Sequence, residues 1–177
     1  MHHIRLQRFK LSVFCSLVQD KVLLPELRFK NSCYGAYMKM GETGIMMYSY
    51  RDPKLAETYE LFNNLPDMVR GLEFTQEDIN GYIVSLFSDL SMPMGPLTGG
   101  EQAVMDKLYG IDSFADTLKL MHEAKQTTPE DIKEMASLID LMLEKGGRVT
   151  VNSQKLVTEN SNIFDVTDDS YMSNSSM

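Results

Sequence analysis

Leu27-Arg28-Phe29-Lys30-Asn31-Ser32-Cys33-Tyr34-Gly35-Ala36-Tyr37-Met38-Lys39-Met40, then Gly41-Glu42-Thr43-Gly44, then Ile45-Met46-Met47-Tyr48-Ser49-Tyr50-Arg51-Asp52-Pro53, is the stretch whose reading decides the fold. A helix end carrying Arg28 runs into two short strands rich in tyrosine and methionine. The loop between them has glycine at each end, a hairpin signal. Asp52-Pro53 stops the second strand and opens a helix, with Asp52 placed to cap and Pro53 at the first helical position. The unit is helix, hairpin, helix, with Arg28 and Tyr34 at the first junction.

Upstream, Phe14, Leu17 or Val18, Val22 and Leu27 recur near helical spacing between Leu11 and Lys30. Pro25 predicts a kink or a fresh helical turn there. Residues 1–10 lack a clear period and read as a poorly ordered lead-in. The hairpin strands are apolar or aromatic on both faces, which calls for cover on both sides. One later segment, Arg148-Val149-Thr150-Val151-Asn152, has strand composition. Three strands against several helices make an incomplete sheet. The expected class is α+β, a partial antiparallel sheet of hairpin plus one later strand packed on helices, in one incomplete domain over residues 11–164.

Downstream the pattern is helical. Pro53 to Arg70 carries a stripe of Leu55, Tyr59, Phe62 and Leu65, bends at Pro66 and stops at Gly71. Thr75 with Asp78 resembles a capping box that opens the next helix. Met92 to Gly100 reads as a loop, followed by a short helix to Tyr109 and another over roughly Ser113 to Lys125. Thr128-Pro129-Glu130-Asp131 starts a last long helix that ends at Gly146-Gly147. Ser153–Glu159 suggests one or two more helical turns. Residues 165–177 are polar and read as a disordered tail.

The whole chain of 177 residues is about one domain's worth, 43% hydrophobic and 24% charged. Its net charge of -8 argues against nucleic acid as a partner, because phosphate neutralisation needs clustered Lys and Arg. No apolar run approaches a membrane span. Arg5, Arg8 and Lys10 before Leu11–Val18 resemble a minimal signal peptide, but no small-residue cleavage site follows. Two cysteines, Cys15 and Cys33, fit buried thiols in a reducing compartment, and a cytoplasmic location is the expectation.

No metal site can be assembled from the motifs present. His122-Glu123 opens like a zinc-protease helix, but Gln126 stands where a second histidine is required, and the inverted His-x-x-Glu-His order is absent. Gly95, Gly99 and Gly100 precede a helix without the Lys-Ser or Lys-Thr of a phosphate loop. Neither cysteine has a base nearby in sequence. Met38, Met40, Met46 and Met47 could form an adaptable peptide-binding face, with ordinary core as the plainer reading. Arg28 and Tyr34 could aim a fork of donors and a phenol into one cleft. On the residues alone, a surface salt bridge of Arg28 with Glu26 or an acidic neighbour is the simpler account.

Leu27 to Ala36, followed by Tyr48-Ser49-Tyr50-Arg51-Asp52-Pro53, resembles the last domain of the pitrilysin/insulysin-type zinc metallopeptidases. The branch that fits is the presequence proteases, whose pattern runs roughly Ile-Arg-x-Lys-Gly-Gly-Ala-Tyr-Gly-Ala and then Tyr-Ser-Tyr-Arg-Asp-Pro. The likeness continues through Thr75-Gln76-Glu77-Asp78 and Ser88-Asp89-Leu90-Ser91-Met92-Pro93 to Thr128-Pro129-Glu130-Asp131, and covers most of Leu11 to about Phe164. Asn31-Ser32-Cys33 departs from Gly-Gly-Ala, which puts the local backbone in question.

The resemblance implies a clamshell of four related domains, with the zinc ligands and catalytic glutamate in the first. It also implies that Arg28 and Tyr34 reach across to the bound peptide, as supporting catalytic groups for the substrate carbonyl and oxyanion. This chain then supplies no metal ligand and no cofactor site, zinc belonging to the complete enzyme. Its expected partners are an unstructured peptide substrate and the N-terminal catalytic portion, with no nucleic acid and no membrane. The expected function is the C-terminal, substrate-contacting portion of a zinc oligopeptidase that degrades peptides in a closed chamber, inactive alone. A non-catalytic peptide-binding or subunit-assembly module is the alternative.

Overall fold

In the computed structural model, residues 2–40, 44–90, 93–108, 118 and 121–165 are described. Helix α1 (His2–Val18) passes directly into a π-helix (Gln19–Lys30), forming one continuous trunk. The buried positions explain the change of winding. Phe9, Val13, Phe14, Leu17 and Val18 are buried at α-helical spacing, whereas Val18 to Leu23 and Val22 to Leu27 are each five residues apart. That step matches an i→i+5 ladder, and the Asn31 N–H donates to the Glu26 carbonyl at 3.1 Å where the ladder ends. Pro25 sits inside the π-helix, so the trunk widens where the sequence predicted a kink or restart. The helix also begins at His2, within the stretch read as a lead-in. Phe9 is drawn onto the next layer, its ring stacked on Phe87 with centroids 4.6 Å apart.

Strands β1 (Gly35–Met40) and β2 (Ile45–Tyr50) form a two-stranded antiparallel sheet, with Gly35 opposite Tyr50 and Met40 opposite Ile45. Ala36 and Met38 are buried, and β1 packs against α1 and the π-helix. On the opposite face Tyr37 stacks on Tyr48 at 4.9 Å with the Lys39 ammonium near both rings. Met46 and Tyr50 there stay about half exposed. Cover on both faces was expected, and the trunk covers one. A Cβ at Gly35 would lie 2.7 Å from the Tyr37 ring, so any larger residue there would have to push that ring aside.

The expected third strand does not join the sheet. Residues 148–152 carry no ladder, and Val149 and Val151 are 85% and 95% exposed. They are fixed instead from α2 (Leu55–Gly71), whose Tyr59 hydroxyl lies 2.9 Å from the Thr150 hydroxyl. The α2 start is also displaced from the expected cap. Lys54 is the cap position, and buried Asp52 accepts from the Lys54 N–H at 2.9 Å and the Thr58 hydroxyl at 2.5 Å. Pro66 lies inside α2.

The remaining helices are α3 (Gln76–Leu90), α4 (Pro96–Leu108), α5 (Pro129–Glu134), α6 (Ala136–Lys145) and α7 (Gln154–Glu159), then a 3₁₀ turn over Ser161–Ile163. Helix α4 starts inside the predicted loop and takes in Gly99 and Gly100, the Gly99 N–H donating to the Gly95 carbonyl. The predicted last long helix is broken at Met135 by tighter i→i−3 bonds, Met135 to Ile132 and Leu138 to Met135. The predicted helix ends around residues 109–117, the hairpin turn at 41–43 and most of the tail lie outside the described residues.

Two capping boxes also anchor the trunk. Asp78 accepts from the Thr75 N–H at 2.8 Å and pairs with Lys21 at 2.7 Å. Asp131 accepts from the Thr128 N–H at 2.9 Å and pairs with Lys10 at 3.0 Å. The Lys21 hydrogen bond, reinforced by Thr75, holds the Asp78 carboxyl well below its usual range. For Asp131, partial burial pushes upward, but the Thr128 N–H and Lys10 outweigh it and the net shift is down. A carboxylate with a depressed folded pKa contributes stability above its unfolded pKa and loses it as pH falls through the folded value. The urea midpoint should therefore drop as pH is lowered below about 4. Asp78→Asn should flatten that dependence, and an unchanged slope would remove Asp78 from the account.

Candidate functional site

The last turn of the π-helix presents Arg28 and Phe29 to solvent, Phe29 at 74% exposure. The salt bridge suggested for Arg28 does not form. Glu26 pairs with Lys30 at 2.6 Å, and no carboxylate pairs with Arg28 among the described residues. The Arg28 guanidinium instead lies 6.0 Å from the Phe29 ring centroid.

Three residues then turn the chain. Ser32 adopts φ 66°, a left-handed conformation that glycine takes without cost. It stands where the resembled pattern has glycine, so the departure from Gly-Gly-Ala keeps a glycine-type turn at some strain. Cys33 anchors the far side of the turn. It is buried, its N–H donates to the Leu27 carbonyl at 3.0 Å and its thiol to the Gly35 carbonyl at 3.3 Å. Burial, then the Asp52 charge, raises the Cys33 thiol pKa, while the Gly35 contact and Arg28 oppose it. Asp52 and Arg28 thus each lie within electrostatic reach of the Cys33 thiol.

Tyr34 follows at 61% exposure, its N–H donating to the Tyr50 carbonyl at 3.0 Å. Its ring meets Tyr50 edge-on at 5.8 Å. The Arg51 guanidinium lies 5.5 Å from the Tyr34 centroid and 5.4 Å from that of Tyr50. Arg51 itself has φ 50°, a second strained residue at the same junction. Arg28 and Tyr34 thus emerge at the two ends of one short turn, both exposed. No hydrogen bond links them among the described residues. The sequence reading missed the support of Tyr34 by Tyr50 and Arg51, although the hairpin register that pairs Gly35 with Tyr50 contained the signal.

Beside this ledge a groove of about 640 Å³ follows β2 on the side away from β1. Its walls include Met47, Tyr50, Phe62, Met142, Val149 and Val151.

The remaining chemistry is structural. Cys15 is buried and its thiol pushed up to about 12, and His122 is exposed. Among the described residues, no group of three or more His, Cys, Asp and Glu could hold a metal. These residues do not fit a zinc centre.

Residues 8–155 match the family model of the PreP C-terminal domain. The chain belongs to that family. It is 28% identical over 155 residues to presequence protease 1, chloroplastic/mitochondrial, of Arabidopsis thaliana, covering 84% of this chain and 14% of that protein. It is 37% identical over 103 residues to the mitochondrial presequence protease of Mus musculus, covering 57% and 10%. For the Xenopus tropicalis mitochondrial presequence protease the values are 31% over 113 residues, 63% and 10%. The chain spans well under a fifth of the length of these relatives. Their names also overturn the cytoplasmic expectation, since all three carry organellar designations. Two buried free cysteines do not distinguish one compartment from another. No described helix is long and apolar enough to cross a membrane.

Left-handed backbone at Ser32 makes a sharp prediction. Ser32→Gly should be neutral or stabilising, whereas the β-branched Ser32→Val should cost about 1–2 kcal/mol in urea unfolding. Equal stability of the two variants would contradict that conformation.

Proposed function

We propose that this chain is the C-terminal, substrate-contacting portion of a zinc-dependent oligopeptidase of the presequence-protease type, acting in an organelle on unstructured peptides inside a closed chamber. The family match across residues 8–155, together with an exposed Arg28 that pairs with no carboxylate among the described residues and an exposed Tyr34 at the same junction, supports the reading. A guanidinium and a phenol are both donors. Placed over a scissile carbonyl, they would orient it and hold the negative charge that gathers on its oxygen during attack. The turn is suited to that task. Buried Cys33 and the Tyr34–Tyr50 backbone bond fix the base of both side chains, so little reorganisation is needed when substrate arrives.

Zinc and the general base belong to the remainder of the enzyme in this reading. This chain contributes binding and charge stabilisation, and it should be inactive by itself.

The test is complementation. Arabidopsis thaliana presequence protease 1 lacking its matched segment is mixed with this chain and assayed on an unstructured peptide. Arg28→Ala and Tyr34→Phe should each lower kcat by roughly 10²-fold, the scale of losing one oxyanion donor, with assembly unchanged. Undiminished turnover in both variants would remove these residues from the mechanism.

A further inference from the structure

We infer that Arg51 is a positioning residue for Tyr34, clamping its ring against Tyr50 so that the phenol is aimed before substrate arrives. The inference rests on the reading above, in which Tyr34 donates to the substrate carbonyl, and names the group that holds that donor.

Tyr34 needs such a group. Its side chain is exposed, and its hydroxyl has no hydrogen-bond partner among the described residues. Only its base is tied, by the backbone bond to the Tyr50 carbonyl. An exposed side chain held at the backbone alone hops between rotamers within nanoseconds. A donor to an oxyanion is effective when its direction is set in advance. Two neighbours can set it here. Tyr50 meets the Tyr34 ring edge-on at 5.8 Å, and the Arg51 guanidinium lies 5.5 Å from the Tyr34 centroid, within cation–π range. The same guanidinium lies 5.4 Å from the Tyr50 centroid, so one cation bridges both rings.

The backbone departs from regularity to make this contact. Strand β2 ends at Tyr50, and a continued strand would send the next side chain to the opposite face. Arg51 takes φ 50° instead, a left-handed conformation disfavoured for a residue with a Cβ, and its guanidinium comes to the Tyr50 ring. Its neighbours hold it there. Tyr50 is paired with Gly35, and buried Asp52 is fixed by the Lys54 N–H and the Thr58 hydroxyl. Arg51 is exposed and pairs with no carboxylate among the described residues, so the two rings are the contact that its strained position secures.

Glycine takes the left-handed conformation freely, which lets positioning be separated from stability. Arg51→Gly removes the guanidinium and relieves the backbone, so the urea midpoint should hold or rise. Side-chain NMR couplings of Tyr34 should report one χ1 rotamer in the unaltered chain and an average over several in Arg51→Gly. In the complementation assay Arg51→Gly should lower kcat by roughly tenfold with KM unchanged, and Arg51→Lys should restore most of the loss. Placed on Tyr34→Ala, the same change should lower kcat no further. Full kcat in Arg51→Gly beside a reduced kcat in Tyr34→Phe overturns the inference and leaves the proposed function standing. A further loss on Tyr34→Ala makes Arg51 a substrate contact in its own right and also overturns the inference. A fall in midpoint that parallels the fall in kcat marks a structural role and does the same. Averaged Tyr34 couplings in the unaltered chain overturn it with no activity measured. Full kcat in Tyr34→Phe, or no turnover on mixing the unaltered portions, overturns both.

Discussion

Burial of one apolar stripe along the first thirty residues holds everything else in place. Val13, Phe14, Leu17, Val18, Leu23 and Leu27 are fully buried, and α3, α5 and the hairpin all lie against the trunk that carries them. At roughly 1.5–3 kcal/mol for each large apolar side chain buried, no single ion pair competes with this term. The capping carboxylates Asp78 and Asp131 refine the docking by linking helix starts to Lys21 and Lys10. They set orientation on a surface whose adhesion is apolar.

The site inherits its geometry from the trunk. Because Leu27 is locked in the core, the next residue, Arg28, is carried outward at a defined place. Because Cys33 is locked too, Tyr34 leaves the turn at another. The strain at Ser32 and Arg51 is confined to the two chain segments that meet there, and the Tyr34–Tyr50 bond ties them together. Rigid anchors with exposed donors between them are what charge stabilisation requires.

Much of this was legible in the sequence where local chemistry decides. The hairpin, the capping box at Thr75, the helix start at Thr128 and the helix stop at Gly146 follow from residue types at fixed offsets. The π-helix was not legible, since its five-residue spacing overlaps the ordinary helical period, and Pro25 suggested a break. The 148–152 segment misled for a different reason. Its composition is that of a strand, but a strand needs a neighbour, and among the described residues none lies in register with it. Arg28 was ambiguous because Glu26 could pair with either Arg28 or Lys30, and only folded geometry assigned it to Lys30.

The central claim is a divided site, in which this chain holds substrate and the metal chemistry lies elsewhere. Its most direct test is the purified chain alone, given one equivalent of zinc, with bound metal and hydrolysis of an unstructured peptide both measured. The account predicts neither stoichiometric zinc nor turnover. A chain that retains one zinc through desalting and cleaves the peptide would contradict it.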